Sequence, residues 1–105
     1  MKMMKAYPIE IVLSLTTGFL LKEGGFGDMH ELVEWVLGHP VWTHELADKG
    51  FFARLQEAVF AQHPDLRTAE IVDVDKMKPD IKTYLEDYTA RAIEKYGRLI
   101  EVQNG

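Results

Sequence analysis

Histidines and carboxylates gather in the middle of the chain, and the run His30 to Glu34, "HELVE", comes nearest to a known chemical pattern. Zinc hydrolases use His-Glu-x-x-His on a helix, where two histidines one turn apart hold the metal. Here the second histidine position is Glu34. His30 and Glu34 still share a helix edge, and His39 or His44 could add a third ligand. A divalent-metal enzyme built on His30, Glu34 and His44 is therefore the catalytic reading open to this sequence. A solvated helix edge produces the same spacing by chance. We expect no bound metal and no cofactor, and assign no catalytic residue.

Other routes to catalysis are weaker still. "GGFGDMHE" runs a glycine loop into a helix start, the arrangement that cradles phosphate. It lacks both the third glycine of a dinucleotide site and a phosphate-binding lysine, and Asp28 and Glu31 place negative charge where the phosphate would sit. The chain has no cysteine, which excludes disulfides and thiolate chemistry. Ser14 lies inside an apolar run rather than on a strained turn. The neighbours His44 and Glu45 point about 100° apart on a helix and cannot act as one acid–base unit, and His63 with Asp65 serves no better.

The elements that would position these residues follow from periodicity and punctuation. Residues 8 to 17 fit either a strand or a helix. Pro8 at the first turn and Gly18 as a stop favour a short helix. "GFLLK", Gly18 to Lys22, reads as a short strand, and "EGGFG" as a loop. Asp28 with Glu31 resembles a capping box, so Asp28 is expected to cap a helix that Met29 begins and Gly38 ends. Met29, Leu32, Val33, Val36 and Leu37 form its apolar face, with Glu31, Glu34 and Trp35 on the other side. "GHP" then stops that helix, and Thr43 is placed to cap a short helix "HELADK", closed by Gly50. His44 could pin this turn through a backbone carbonyl, and Trp42 is expected in the core behind it.

A helix from about Phe51 to Gln62 is ended by "QHPDL", where His63 and Pro64 act as the stop. "AEIVDV", Ala69 to Val74, is expected to be a strand. Pro79 opens a long helix to Tyr96, and "RLIEVQ" from Arg98 is a last strand. The order strand, helix, strand suggests a parallel crossover, with an antiparallel return as the alternative. The expected fold class is α+β: one helix-rich domain over residues 1–105, with a small sheet of about three short strands.

Charge narrows the partners. The net charge of −5 argues against direct nucleic-acid binding, which needs clustered Lys and Arg. From residue 23 to 48 there is neither Lys nor Arg, while Glu23, Asp28, Glu31, Glu34, Glu45 and Asp48 are acidic. The whole negative excess lies there. An acidic surface carrying a large aromatic suits a basic protein partner, so Glu31, Glu34, Trp35, Glu45 and Asp48 are the expected partner-binding residues. No apolar run approaches the roughly 20 residues of a membrane span. Pro8 and Glu10 break the run that otherwise imitates a secretory leader. No membrane association and a cytoplasmic location, within a host cell, are expected.

Four stretches, "TTGFLL" (Thr16 to Leu21), "GDMHELVEWVLG" (Gly27 to Gly38), "VWTHEL" (Val41 to Leu46) and "QHPDL" (Gln62 to Leu66), together resemble a family of small phage and prophage proteins known only as a domain of unknown function. The resemblance covers the first two thirds of the chain. In those proteins the central motif is similar to Leu-Phe-Thr-His-Gln-Leu followed by Pro-Arg; Trp42, Glu45 and Ala47 depart from it and make the stretch more acidic. Thr43, His44, His63 and Pro64 match. With Asp28 and Gly38, these four are structural residues in our reading. The resemblance implies a phage accessory protein and transfers no catalytic residue. The expected function is a non-enzymatic protein that binds a host protein with a basic surface, inhibition of a defence system being the candidate role. The alternatives are the metal enzyme above and a homo-oligomeric, self-associating module using Trp35.

Overall fold

The apolar run Ile9 to Leu15 decides the architecture. In the computed structural model, which describes residues 3–22 and 24–105, it is an α-helix, α1 (Ile9–Thr17), and every residue from Ile11 to Thr16 is buried. A helix apolar nearly all round has no solvent face and must sit at the centre of a fold. That explains why its sequence fits a strand equally well. Gly18 ends it in the left-handed region at φ 80°, as its position predicts.

Around α1 lie α2 (Phe26–Leu37), α3 (Lys49–Gln62), the short α4 (Val74–Met77) and α5 (Ile81–Tyr96), with 3₁₀ turns at Thr43–Ala47 and Pro64–Thr68. Two strands, β1 (Met4–Pro8) and β2 (Leu99–Gln103), pair antiparallel with Lys5 opposite Val102 and Tyr7 opposite Ile100. The class is α+β and helix-rich, as expected. Among the described residues, however, the sheet has two strands and not three, and the expected strand–helix–strand unit from 69–74 to the last strand does not form. One hydrophobic cluster joins Ile9, Leu13 and Leu15 of α1 to Leu32, Val33, Leu55, Val59, Tyr88 and Val102. Among the described residues no helix is long and apolar enough to cross a membrane.

Both strands expected at 18–22 and 69–74 are absent, for one physical reason: side chains satisfy the backbone that a neighbouring strand would otherwise pair. Ser14 on α1 donates its hydroxyl to Glu10 C=O at 2.6 Å and accepts the Leu21 N–H at 3.0 Å, which fastens residues 18–22 as a loop. In 69–73, Tyr88 donates to Glu70 C=O at 2.5 Å and Tyr84 accepts the Asp73 N–H at 2.7 Å. Arg91 adds a two-pronged ion pair with the Glu70 carboxylate. The segment is thus strapped to α5, and Ile71 is left 86 % exposed. β1 was not expected at all.

Helix starts also shift. α2 begins at Phe26 with Gly25 as its N-cap, so Asp28 lies inside the first turn and not at the cap; it pairs with Lys22 at 3.7 Å. Thr43 is the first residue of its 3₁₀ turn, and its N-cap is Trp42. The capping residue of that region is Asp48, which accepts the Phe51 N–H at 3.0 Å and starts α3 at Lys49, through Gly50. Gly38, His63 and Pro64 act as read: Gly38 ends α2 at φ 80°, His63 caps the end of α3, and Pro64 opens the next turn.

Candidate functional site

The acidic stretch folds as α2 and the segment after it, and most of its polar side chains carry internal bonds. His30 and Glu34 lie one turn apart, as read, and both hold Val41. His30 Nε2 lies 2.7 Å from Val41 C=O, and a carbonyl can only accept, so Nε2 carries the proton. Glu34 Oε2 accepts the Val41 N–H at 2.8 Å. The pair clasps both backbone groups of one residue and brings the chain back against α2, with the Val41 side chain buried. His44 stands elsewhere, its ring stacked on Trp42 with centroids 6.4 Å apart. Among the described residues no three His, Asp or Glu side chains form a group able to hold a metal. The triad His30, Glu34 and His44 is not brought together.

Trp42 does not take its expected place, and Trp35 is partly covered by another element. Trp35 is half-buried: its indole N–H donates to Val102 C=O at 2.7 Å, tying α2 to β2. Trp42, expected in the core, is 72 % exposed. Val41 takes the core position instead. Because alternate residues of an extended chain point to opposite sides, seating Val41 turns Trp42 outward.

Around them the carboxylates divide into two groups. Glu31 is exposed and pairs with Lys5, whose ammonium also lies 5.2 Å from the Tyr7 ring and 5.8 Å from the Trp35 ring. The hydrogen bond to Glu31 raises the Lys5 pKa, while burial pushes the Tyr7 phenol up. Tyr7 Oη is buried without a hydrogen-bond partner. Tyr7 and Glu31 border a shallow depression of about 290 Å³ that Glu34, Trp35, His39 and Pro40 help to line. Beyond the clasp, Glu45 accepts the Trp42 N–H at 3.3 Å, and Asp48 caps α3. Glu23 lies outside the described residues.

Each of Glu31, Glu34, Trp35, Glu45 and Asp48 therefore has an internal bond, and they spread over a surface that runs from β1 to the start of α3. The sequence reading missed Trp42 as the exposed aromatic of this surface, although the apolar Val41 beside it was the available signal. It also missed a groove of about 700 Å³ between α1, the 18–22 loop and α5, lined by Leu20, Leu21, Ile81, Leu85 and Ile93. The signal there was the length of the apolar stripe on α5: Ile81 belongs to it, yet is 55 % exposed.

No curated protein matches this chain, and no solved structure does. A family model described as "Domain of unknown function (DUF7736)" matches residues 7–69. The match spans β1's last residues, the central helix, the clasp and the His63–Pro64 stop, and ends at the first residue of the strapped segment, before α5. More than half of the sequence falls within it, and the chain belongs to the DUF7736 family of domains of unknown function.

Proposed function

We propose that this protein is a non-enzymatic accessory protein of the phage type, which binds a host protein through its acidic face and blocks that protein's basic surface. A host defence component is the candidate partner. The observation that carries the reading is Trp42: a tryptophan 72 % exposed, in a stretch where the described residues include five carboxylates and no Lys or Arg. A large aromatic left in water has an unfavourable hydration that a partner relieves, and tryptophan is the residue most enriched at binding hot spots. The surrounding negative charge attracts a basic partner over about a Debye length and speeds encounter. The phage character rests on the motif resemblance of residues 16–66.

The test is capture of partners from host lysate by the tagged protein, run in parallel with Trp42→Ala. Removing an exposed side chain costs stability within about 0.5 kcal/mol, so the variant stays folded. We expect a stoichiometric partner that elutes with rising salt and is lost, or bound at least about tenfold more weakly, with Trp42→Ala. A partner held equally by both proteins, or no specific partner, would overturn the reading.

A further inference from the structure

The two strands of the sheet differ at their outer edges. Asn104 N–H donates to Met3 C=O and Ile9 N–H to Arg98 C=O, both at 2.9 Å, so the odd-numbered residues of β1 are those that exchange hydrogen bonds with β2. Met4, Ala6 and Pro8 then turn their backbone groups away from β2, and Leu99, Glu101 and Gln103 turn theirs away from β1. On β2 that outer edge is closed. Gln62 Oε1 accepts the Gln103 N–H at 2.8 Å, and His63 Nε2 donates to Glu101 C=O at 2.6 Å. On β1 it is open: among the described residues the backbone groups of Met4 and Ala6 have no partner, and Met4, Lys5 and Ala6 are exposed.

We propose that β1 pairs with β1 of a second copy of this chain, antiparallel about a two-fold axis at Ala6, to form a four-stranded sheet in the order β2–β1–β1–β2. An antiparallel edge is complementary to itself, so a second copy satisfies it without any other sequence. With Ala6 on the axis, Ala6 exchanges two hydrogen bonds with the partner's Ala6. Each Met4 N–H meets the carbonyl of the partner's Pro8, which as the N-cap of α1 also accepts the first bond of that helix, while each Met4 carbonyl faces a proline without an N–H and stays unpaired at the end of the ladder. Lys5 lies opposite the partner's Tyr7, a cation beside an aromatic ring, as it already lies beside its own Tyr7 at 5.2 Å. The neighbouring register, with Lys5 on the axis, sets two ammonium groups directly opposite and is disfavoured. Lysine commonly guards an edge strand; here Glu31 holds its charge to the helix side. Met4, 47 % exposed, is brought over the partner's Pro8 and near Leu99, itself 57 % exposed. The two α2 helices then lie on the same side of one sheet and double the acidic surface.

The cysteine-free sequence gives a direct test. Residues facing each other in a hydrogen-bonded antiparallel pair have Cα atoms about 5.5 Å apart, within the disulfide range of about 4.4–6.8 Å. Ala6→Cys should cross-link to a covalent dimer under mild oxidation at least about tenfold faster than Ile71→Cys, a thiol at an exposed position remote from the edge. By sedimentation the unmodified chain should show twice the monomer mass. Ala6→Pro should raise the dimer dissociation constant about tenfold or more, with its thermal transition retained, because the Ala6 N–H faces away from β2. If Ala6→Pro unfolds, the cysteine comparison decides. A chain that stays monomeric from micromolar to millimolar concentration, equal cross-linking rates, or a folded Ala6→Pro that dimerises like the parent would overturn the proposal.

Discussion

Asp48 and Thr43 are both good helix-capping types, five residues apart, and the aspartate is the one that caps. Its carboxylate accepts the Phe51 N–H, whereas Thr43 is already inside its turn and exposed. Losing a cap costs about 0.5–2 kcal/mol, while an exposed side chain with no such bond costs within about 0.5 kcal/mol. Asp48→Ala should therefore lower the denaturant midpoint clearly and Thr43→Ala hardly at all, as chemical denaturation of the two variants will show. The capping role expected of Thr43 belongs to Asp48. His30 and Glu34 teach a related lesson. Their spacing was legible, but spacing on a helix edge fixes only a common direction. Whether the two groups meet a metal, a partner or a peptide depends on where the next segment returns, and here it returns with Val41 between them.

At the scale of elements, helices were legible and strands, apart from β2, were not. Gly18, Gly38 and Gly97 each stop a helix at positive φ, and a glycine in that conformation leaves a mark in the sequence. β1 left none: "MKAYP" carries no alternation, and it is a strand because β2, more than ninety residues later, lies beside it. The opposite error came from "AEIVDV", which has strand-like residues but no neighbour to pair with. Its straps to α5 make a prediction. Burial, then the nearby Glu70 charge, pushes the Tyr88 phenol up to about 12. A phenol whose folded pKa lies above its unfolded value of about 10 stabilises the fold while neutral; that contribution is complete below pH ~10 and lost as pH rises through about 12. Phenolate absorbance should show a tyrosine that ionises late, and Tyr88→Phe should remove that component. The same substitution leaves Glu70 C=O without its donor and should cost about 1 kcal/mol at neutral pH. An unchanged titration in Tyr88→Phe would mean that another tyrosine carries the shift.

For the molecule as a whole, burial converges on one helix. α2 leans on α1, and α1 is enclosed by α2, α3, α5 and the sheet. Glu34 and Asp48 hold a turn and a helix start near the surface, while the apolar burial that holds the chain together centres on α1. The corollary is that α1 has no tolerant positions among its apolar residues. Leu13 is 1 % exposed and Leu15 fully buried, while Ile81 on the rim of the α5 groove is 55 % exposed. Truncating a buried leucine to alanine costs about 2–5 kcal/mol, from lost burial and the cavity left behind, against a total stability of about 5–15 kcal/mol for a domain of ordinary size. Leu13→Ala should therefore remove a large part of the stability in one step, and because all elements share α1, helix signal and tryptophan fluorescence should fall in a single coincident transition. Ile81→Ala should cost less than about 1 kcal/mol, since most of that side chain already faces water. If Leu13→Ala instead released α5 while α1, α2 and α3 stayed folded, seen as two separated transitions, α1 would not be the common core, and the segment within the family match would fold as a unit of its own.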